Sequence, residues 1–439
     1  MTPPPHRVPA SVFSALARGG GGPEAIQLMV TARRSRTLVL VRTLVQMAHE
    51  INHSDAVDVR HAYSALATVR AVAPHAVDHV LDYPSVGAWA TRTARLLHRR
   101  ATATARPGYL AAVAAAAAVH GAVPLTIRLA PDPSRWGIHL PSLGVALVPR
   151  AGEEVHVRSA VGGSEVAVPG TTVTIPADPH QDGPQWQGTR KIAVSSCGFT
   201  ANFLLDGWAS AHLPPGLSGR QNVSNPVQVE QWRRRIAAGW DLLVQYHEEV
   251  AREVEAAIRV LTPLPAPSHD LVSATLTDAF GCVFLSLPPD ARSVAITLTH
   301  ELQHAKLTAI MDLFSLLEAD TGEFFYAPWR NDPRPLVALL HGTYAHLGVA
   351  AFWRRQRYHE EYAAEARHAH AEYARWRRAA HEVAHVLLTS GQLTPTGCSF
   401  VAAMAQMLDR WTADPIPEEA VTLARQLAEE HRTRWLTLH

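Results

Sequence analysis

The chain is poor in cysteine. Only Cys197, Cys282 and Cys398 occur among 439 residues, far apart and with no CxxC pair. That usage excludes a disulfide framework and predicts a reduced, cytoplasmic setting. An excess of charge is missing too. Lys plus Arg is 40 against 39 for Asp plus Glu, so the basic surplus expected of a protein with nucleic acid as its main partner is absent. The N-terminus, from Met1 to Ala10, has no positive region followed by an apolar core, and no signal peptide is expected. The longest apolar run, residues 109–127, is Ala-rich and broken by His120 and Gly121. It reads as a packed helix running into a strand, so no membrane span is expected.

What the chain does have is apolar residues, at 47%, and histidine, with 25 residues. The first is enough for a substantial core, and the length allows two or three domains. The apolar patterning predicts an α+β fold, mainly helical, with a central antiparallel β-rich portion. Residues 1–122 carry helical spacing after the run Arg18-Gly19-Gly20-Gly21-Gly22-Pro23, which reads as a flexible lead-in to a helix near Glu24. In residues 123–226 the period falls to two. Val155 and Val157, Val166 and Val168, then Val173 and Ile175 alternate with polar neighbours, with Gly162-Gly163 and Pro169-Gly170 as turns. An edge strand there is one place to receive a peptide, a plain packed sheet being the simpler reading. Residues 227–439 begin with a long amphipathic helix expected over 227–261. An apolar strand near Gly281 to Leu287 follows, then a helix capped by Asp290 and extending towards Glu318.

That last helix carries His300-Glu301-Leu302-Gln303-His304, an HExxH pattern. Residues four apart share a helix face, so His300 and His304 can grip one metal ion. Glu301 is rotated by about 100°, away from the ligand positions, and suits proton transfer or ligand orientation beside the metal. The pattern recurs at His381-Glu382-Val383-Ala384-His385. With so many histidines, a chance match is expected on the order of a tenth of the time, and context decides. The first copy follows an apolar strand and an uncharged stretch, 294–299. The second lies in an Arg/Ala-rich helix and reads as a surface or packing coincidence.

Downstream of the first copy, Glu318, Glu323, His341 and His346 are candidates for a third ligand. A glutamate such as Glu323 would complete a two-His, one-Glu zinc peptidase site. The same set could form the two-His, one-carboxylate triad of a non-haem iron oxygenase. His341 would give an all-nitrogen site. The residues by themselves leave these open.

Several segments together resemble a known family. They are Ala279-Phe280-Gly281-Cys282-Val283-Phe284-Leu285 with Pro288-Pro289-Asp290, the first HExxH, Tyr326-Ala327-Pro328-Trp329-Arg330-Asn331-Asp332-Pro333-Arg334-Pro335, and His341-Gly342-Thr343-Tyr344-Ala345-His346-Leu347. The early Leu16-Ala17-Arg18-Gly19-Gly20-Gly21-Gly22-Pro23 and the late Gly391-Gln392-Leu393-Thr394-Pro395-Thr396-Gly397 belong with them. This set resembles the HExxH-motif peptide-modification family of ribosomal peptide natural product biosynthesis. The likeness runs over most of the chain and is densest from 279 to 353.

The resemblance implies an Fe(II)- and 2-oxoglutarate-dependent dioxygenase that hydroxylates β-carbons of a ribosomal precursor peptide. Family members stand alone or are fused to a radical-SAM maturase. No CxxxCxxC cluster motif is present here, which implies a stand-alone form with such a maturase as a candidate partner. On this reading His300, His304 and His341 hold the metal and Glu301 orients a ligand or contacts the substrate. Arg330 or Arg334 supplies the bidentate fork for the cosubstrate carboxylate, with an ion pair to Asp332 as the structural alternative. Tyr344 and Tyr326 are further candidate hydrogen-bond donors. The competing readings are a zinc metallopeptidase acting on a leader peptide, with Glu301 as base, and a non-catalytic peptide-binding partner of a maturase.

Overall fold

The computed structural model describes residues 6–129, 137–148, 154–207, 225–265 and 271–439. Parts of the β-rich stretch expected over 123–226 therefore lie outside the described residues. The fold is mixed α+β and mainly helical. It opens with α1 (Ala10–Ala17), α2 (Gly22–Glu50), α3 (Ala56–Val72), α4 (Pro74–Leu81), α5 (Pro84–His98) and α6 (Leu110–His120). The strands β1 (Leu125–Leu129), β2 (Ile138–Leu140), β3 (Gly144–Ala146), β4 (Val155–Ala160), β5 (Gly163–Val168), β6 (Thr171–Ile175), β7 (Trp186–Gly188), β8 (Arg190–Ser196) and β9 (Phe199–Leu205) follow. The expected alternation is observed: β4, β5 and β6 are consecutive antiparallel strands, with β1 on the other side of β4. Val155, Val157, Val166, Val173 and Ile175 point into the core.

Where one long helix was expected over 227–261, the chain makes α7 (Pro226–Tyr246), α8 (Glu248–Ala257) and then strand β10 (Val260–Pro263). The cause is tertiary. His247 leaves helical geometry at φ −135° and ψ 46°, and its ring stacks on Phe352 and bonds Gln356. After β11 (Ser273–Ala274) and β12 (Cys282–Leu285) come α9 (Ala291–Leu313), β13 (Phe324–Phe325), β14 (Arg334–Pro335), α10 (Leu336–Gln356), α11 (Ala363–Thr389), α12 (Pro395–Trp411) and α13 (Glu418–Leu438). Helix α9 stops short of Glu318, because Phe314 turns extended at φ −134° and ψ 132°. The chain then runs beside the α11–α12 turn, where Leu316 accepts from Thr394 N–H.

The sheet that positions the motif has strand order β11-β12-β10-β9-β8. Strands β9, β10 and β12 run parallel, and β8 and β11 close the two ends antiparallel. The sheet thus joins residues on both sides of the boundary expected at 226. Its faces alternate as strand geometry requires. Val260, Cys282 and Phe284 enter a core with α3–α6 and the C-terminal half of α2. Leu261, Val283 and Leu285 enter a second core with α7–α12. Helix α2 crosses both: Ile26 and Met29 lie in one core, Val41 and Leu44 in the other. The boundaries expected at 122 and 226 therefore do not separate independent cores.

The glycine run is not a flexible lead-in. Gly19 has φ +87° and Gly21 has φ +127°, conformations that favour glycine. The carbonyl of Gly19 accepts from Gln303 Nε2 at 2.9 Å and from Lys306 Nζ at 2.7 Å. Lys306 is fully buried and also bonds Glu253 Oε2 at 2.8 Å. Glu253 Oε1 in turn accepts from Gly22 N–H at 2.7 Å. A closed polar network thus clamps the N-terminus onto the motif helix. Burial pulls the Lys306 ammonium below its ordinary pKa, and Glu253 opposes that shift.

Candidate metal centre

Asp290 caps α9 as expected, its carboxylate accepting Ser293 N–H at 2.7 Å. Ten residues on, His300 and His304 sit one turn apart. Their Nε2 atoms are 3.1 Å from each other and their rings meet edge-on, with centroids 4.7 Å apart. Helix α10 packs beside α9. It presents His341 to His304 at 5.7 Å between ring centroids and His346 to His300 at 5.4 Å. Four imidazoles therefore converge from two helices. His341 and His346, both third-ligand candidates, lie next to the motif pair.

Helix α10 is apolar and long enough to cross a membrane, but 78% of its apolar window is buried inside the fold. Its composition reflects its place between α9 and α11. Gly348 lets it approach closely: a Cβ there would stand 2.6 Å from Gln303 Cγ. Gly342 does the same on another side, where a Cβ would lie 2.3 Å from Trp329 Nε1. Trp329 fills that space and stacks on His346, with ring centroids 4.3 Å apart at 14°. Trp376 of α11 flanks the same ring at 4.6 Å.

His346 Nδ1 lies 2.8 Å from the Gly342 carbonyl. A carbonyl only accepts, so Nδ1 carries the proton and Nε2 keeps its lone pair for a metal. Burial holds the other rings neutral as well. The His341 pKa falls to about 4 by burial, and that of His346 to about 3 by burial and then His300. His304 is driven well below its usual value by burial and by the three other imidazoles. His300 is also lowered by burial, against the opposing charge of Glu301. At neutral pH the cluster offers unprotonated nitrogen donors, the form that borderline divalent metals bind.

Glu301 is buried, and both of its carboxylate oxygens are engaged. Oε1 accepts from the Ser273 hydroxyl at 2.7 Å and Oε2 from the Thr275 hydroxyl at 2.5 Å. Ser273 belongs to β11, so Glu301 ties the motif helix to the end strand of the sheet. These two contacts make Glu301 a link that positions α9 on β11.

The structure gives several of the other expected residues partners of their own. Arg330 and Arg334 both bond Asp332, at 2.9 and 2.8 Å, and hold its carboxylate below the usual range. They form a surface ion triad, the structural alternative expected for them. Tyr344 is fully buried and its hydroxyl donates to the Leu16 carbonyl. It fastens α1 and is not a cofactor contact. Tyr326 bonds His431 Nδ1 at 2.9 Å. Glu318 and Glu323 are exposed, and the Glu323 carboxylate accepts from Gln392 at 2.9 Å.

Sequence reasoning missed Trp329, Trp376 and Arg375. Arg375 stacks on Trp376 at 4.3 Å, and its charge contributes to lowering the His346 pKa. It lines a cleft of about 250 Å³ together with Tyr326, Trp376, His381, Glu382 and Arg432. No sequence signal distinguishes Arg375-Trp376 from the neighbouring Arg377-Arg378. Only the packing of α11 on α10 brings the pair to His346. The second HExxH copy is gathered with Asp409: among the described residues, His381, His385 and Asp409 are the set of three donors all within 4.8 Å of one another.

No protein-family model matches the chain, and no curated protein matches it.

Proposed function

We propose that the chain is an Fe(II)- and 2-oxoglutarate-dependent β-hydroxylase of a ribosomally made precursor peptide, with His300, His304 and His341 as the metal ligands. The observation that carries this reading is the contrast between the donors and Glu301. The motif pair is surrounded by neutral imidazoles, whereas both oxygens of Glu301 are occupied by Ser273 and Thr275. A zinc peptidase would use that carboxylate as its base. The resemblance of the 279–353 segment to the HExxH-motif peptide-modification family supports the same reading.

Imidazoles suit iron(II), and burial keeps His304 and His341 unprotonated; an ion held by His300, His304 and His341 would draw the rings closer than the 5.7 Å between the His304 and His341 centroids. Iron(II) held by His300, His304 and His341 would supply oxidative chemistry in which 2-oxoglutarate and dioxygen give succinate, carbon dioxide and one oxygen atom placed in a β C–H bond. The chain's own residues do the rest. Gly342 fixes the His346 tautomer. Trp329 and Trp376 wall off that side of the cluster from water. Glu301 holds α9 against β11. The cation for the cosubstrate's distal carboxylate is Arg330 or Arg334, with Arg375, in the cleft next to Trp376 and itself paired with Glu372 at 3.8 Å, as the alternative nearer His346.

The test is incubation of the iron-loaded protein with candidate precursor peptides, 2-oxoglutarate and air. The reading expects a gain of one oxygen atom in the peptide with an equivalent of succinate, and loss of both in His304→Ala. Peptide cleavage by the zinc-loaded protein without 2-oxoglutarate would establish the peptidase instead.

A further inference from the structure

The second HExxH copy has no place in the reaction above, yet its geometry nearly repeats that of the first. His381 and His385 on α11 have Nε2 atoms 3.2 Å apart and ring centroids 4.6 Å apart at 77°. The first pair shows 4.7 Å and 79°. What differs is the neighbour. Asp409, from α12, puts Oδ1 2.5 Å from His381 Nε2. We propose that His381, His385 and Asp409 form a second divalent-metal site that clips α11 to α12.

Around a tetrahedral ion with metal–ligand bonds near 2.1 Å, donor atoms stand roughly 3.3 Å apart. The imidazole pair already has that spacing. The His381–Asp409 contact is a hydrogen bond, and an entering ion replaces its shared proton and widens it by less than about 1 Å. Both helices are anchored: Ala380, Val383, Ala384 and Leu387 of α11 and Val401, Met404, Ala405 and Leu408 of α12 are buried in one core. The donors are thus held by rigid elements, not by a loop. Glu382 is not part of the set, because it pairs with Arg378 at 2.6 Å.

Two imidazoles and one carboxylate suit zinc, copper(II) or nickel(II) better than calcium or magnesium. His385 and Asp409 are exposed, so water completes the coordination. His381 also lines the cleft that holds Arg375 and Arg432, and an ion there would add positive charge at its rim. The site does not depend on the hydroxylase reading and fails or stands separately from it.

The experiment titrates metal-stripped protein with Zn²⁺ alone, following heat by calorimetry and bound zinc after desalting. Wild type should bind at two sites. His304→Ala should lose one and keep the other, and zinc should still raise its melting temperature, because an ion bridging two helices favours the folded state. In the His304→Ala background, His385→Ala and Asp409→Asn should each weaken the remaining site at least tenfold and abolish the thermal shift. Asp409→Asn keeps shape and a hydrogen-bonding group, so its metal-free melting temperature controls for folding. If His304→Ala binds no zinc, or if His385→Ala and Asp409→Asn leave the remaining affinity unchanged, the site does not exist and the trio is only a hydrogen bond between helices.

Discussion

Lys306 and Glu253 form a buried ion pair at 2.8 Å, and the glycine run is fastened to both partners. Removing one partner leaves a buried charge uncompensated, which costs about 3–5 kcal/mol. Lys306→Met should destabilise by that amount in urea unfolding. The double variant Lys306→Met with Glu253→Gln should recover part of it. A single-variant loss below about 1 kcal/mol would mean that water already reaches the pair.

Gly342 leaves the space that Trp329 occupies against His346. Gly342→Ala forces the indole to move, an overpacking cost of about 1–3 kcal/mol. Tryptophan fluorescence should shift to the red, and metal affinity should fall by roughly 10- to 100-fold, the usual effect of disturbing an outer contact of a ligand, here His346 against His300. Unchanged fluorescence and affinity would show that the stack is not needed to orient His346.

Glu301→Gln keeps the shape of the side chain and most of its hydrogen bonds to Ser273 and Thr275. As a positioning residue, it should leave hydroxylation reduced by about 10- to 100-fold but measurable, with the metal still bound. Complete loss of activity in a fully metallated variant would instead assign Glu301 a direct chemical role.

His247 is buried, and its pKa falls to about 4, chiefly by burial, with the Gln356 hydrogen bond opposing. The ring is neutral in the fold and takes up a proton more readily when unfolded. Its contribution is fully present above about 6.5, the unfolded value, and is lost as the pH falls towards about 4. The stability of metal-free protein should therefore drop across that window. His247→Gln should flatten the drop, by at most about 3.4 kcal/mol on the linkage relation. An unchanged slope in the variant would locate the acid sensitivity elsewhere.

Much of the fold could be read directly from local pattern. The alternation from Val155 to Ile175, the cap at Asp290 and the helix opened by Pro335 are short-range signals, and the structure follows them. What could not be read is tertiary. The break at His247 depends on Phe352 and Gln356, over a hundred residues away. The glycine run looked mobile because its partners, Gln303 and Lys306, come from a distant helix. At the candidate centre, helical spacing located His300 and His304, and the family resemblance singled out His341. The pairing of Arg330 and Arg334 with Asp332, the burial of Tyr344 and the arrival of Trp376 depend on how α10 and α11 pack.

The central claim is that the His300–His304 centre oxidises a peptide and does not hydrolyse one. The most direct measurement is isotopic. The iron-loaded protein, 2-oxoglutarate and precursor peptide are incubated under heavy-isotope dioxygen in ordinary water, and the product is read by mass spectrometry. One heavy oxygen atom in the intact peptide, absent with His304→Ala, is the expected result. Cleaved peptide that takes its oxygen from water, with no label from dioxygen, would contradict it.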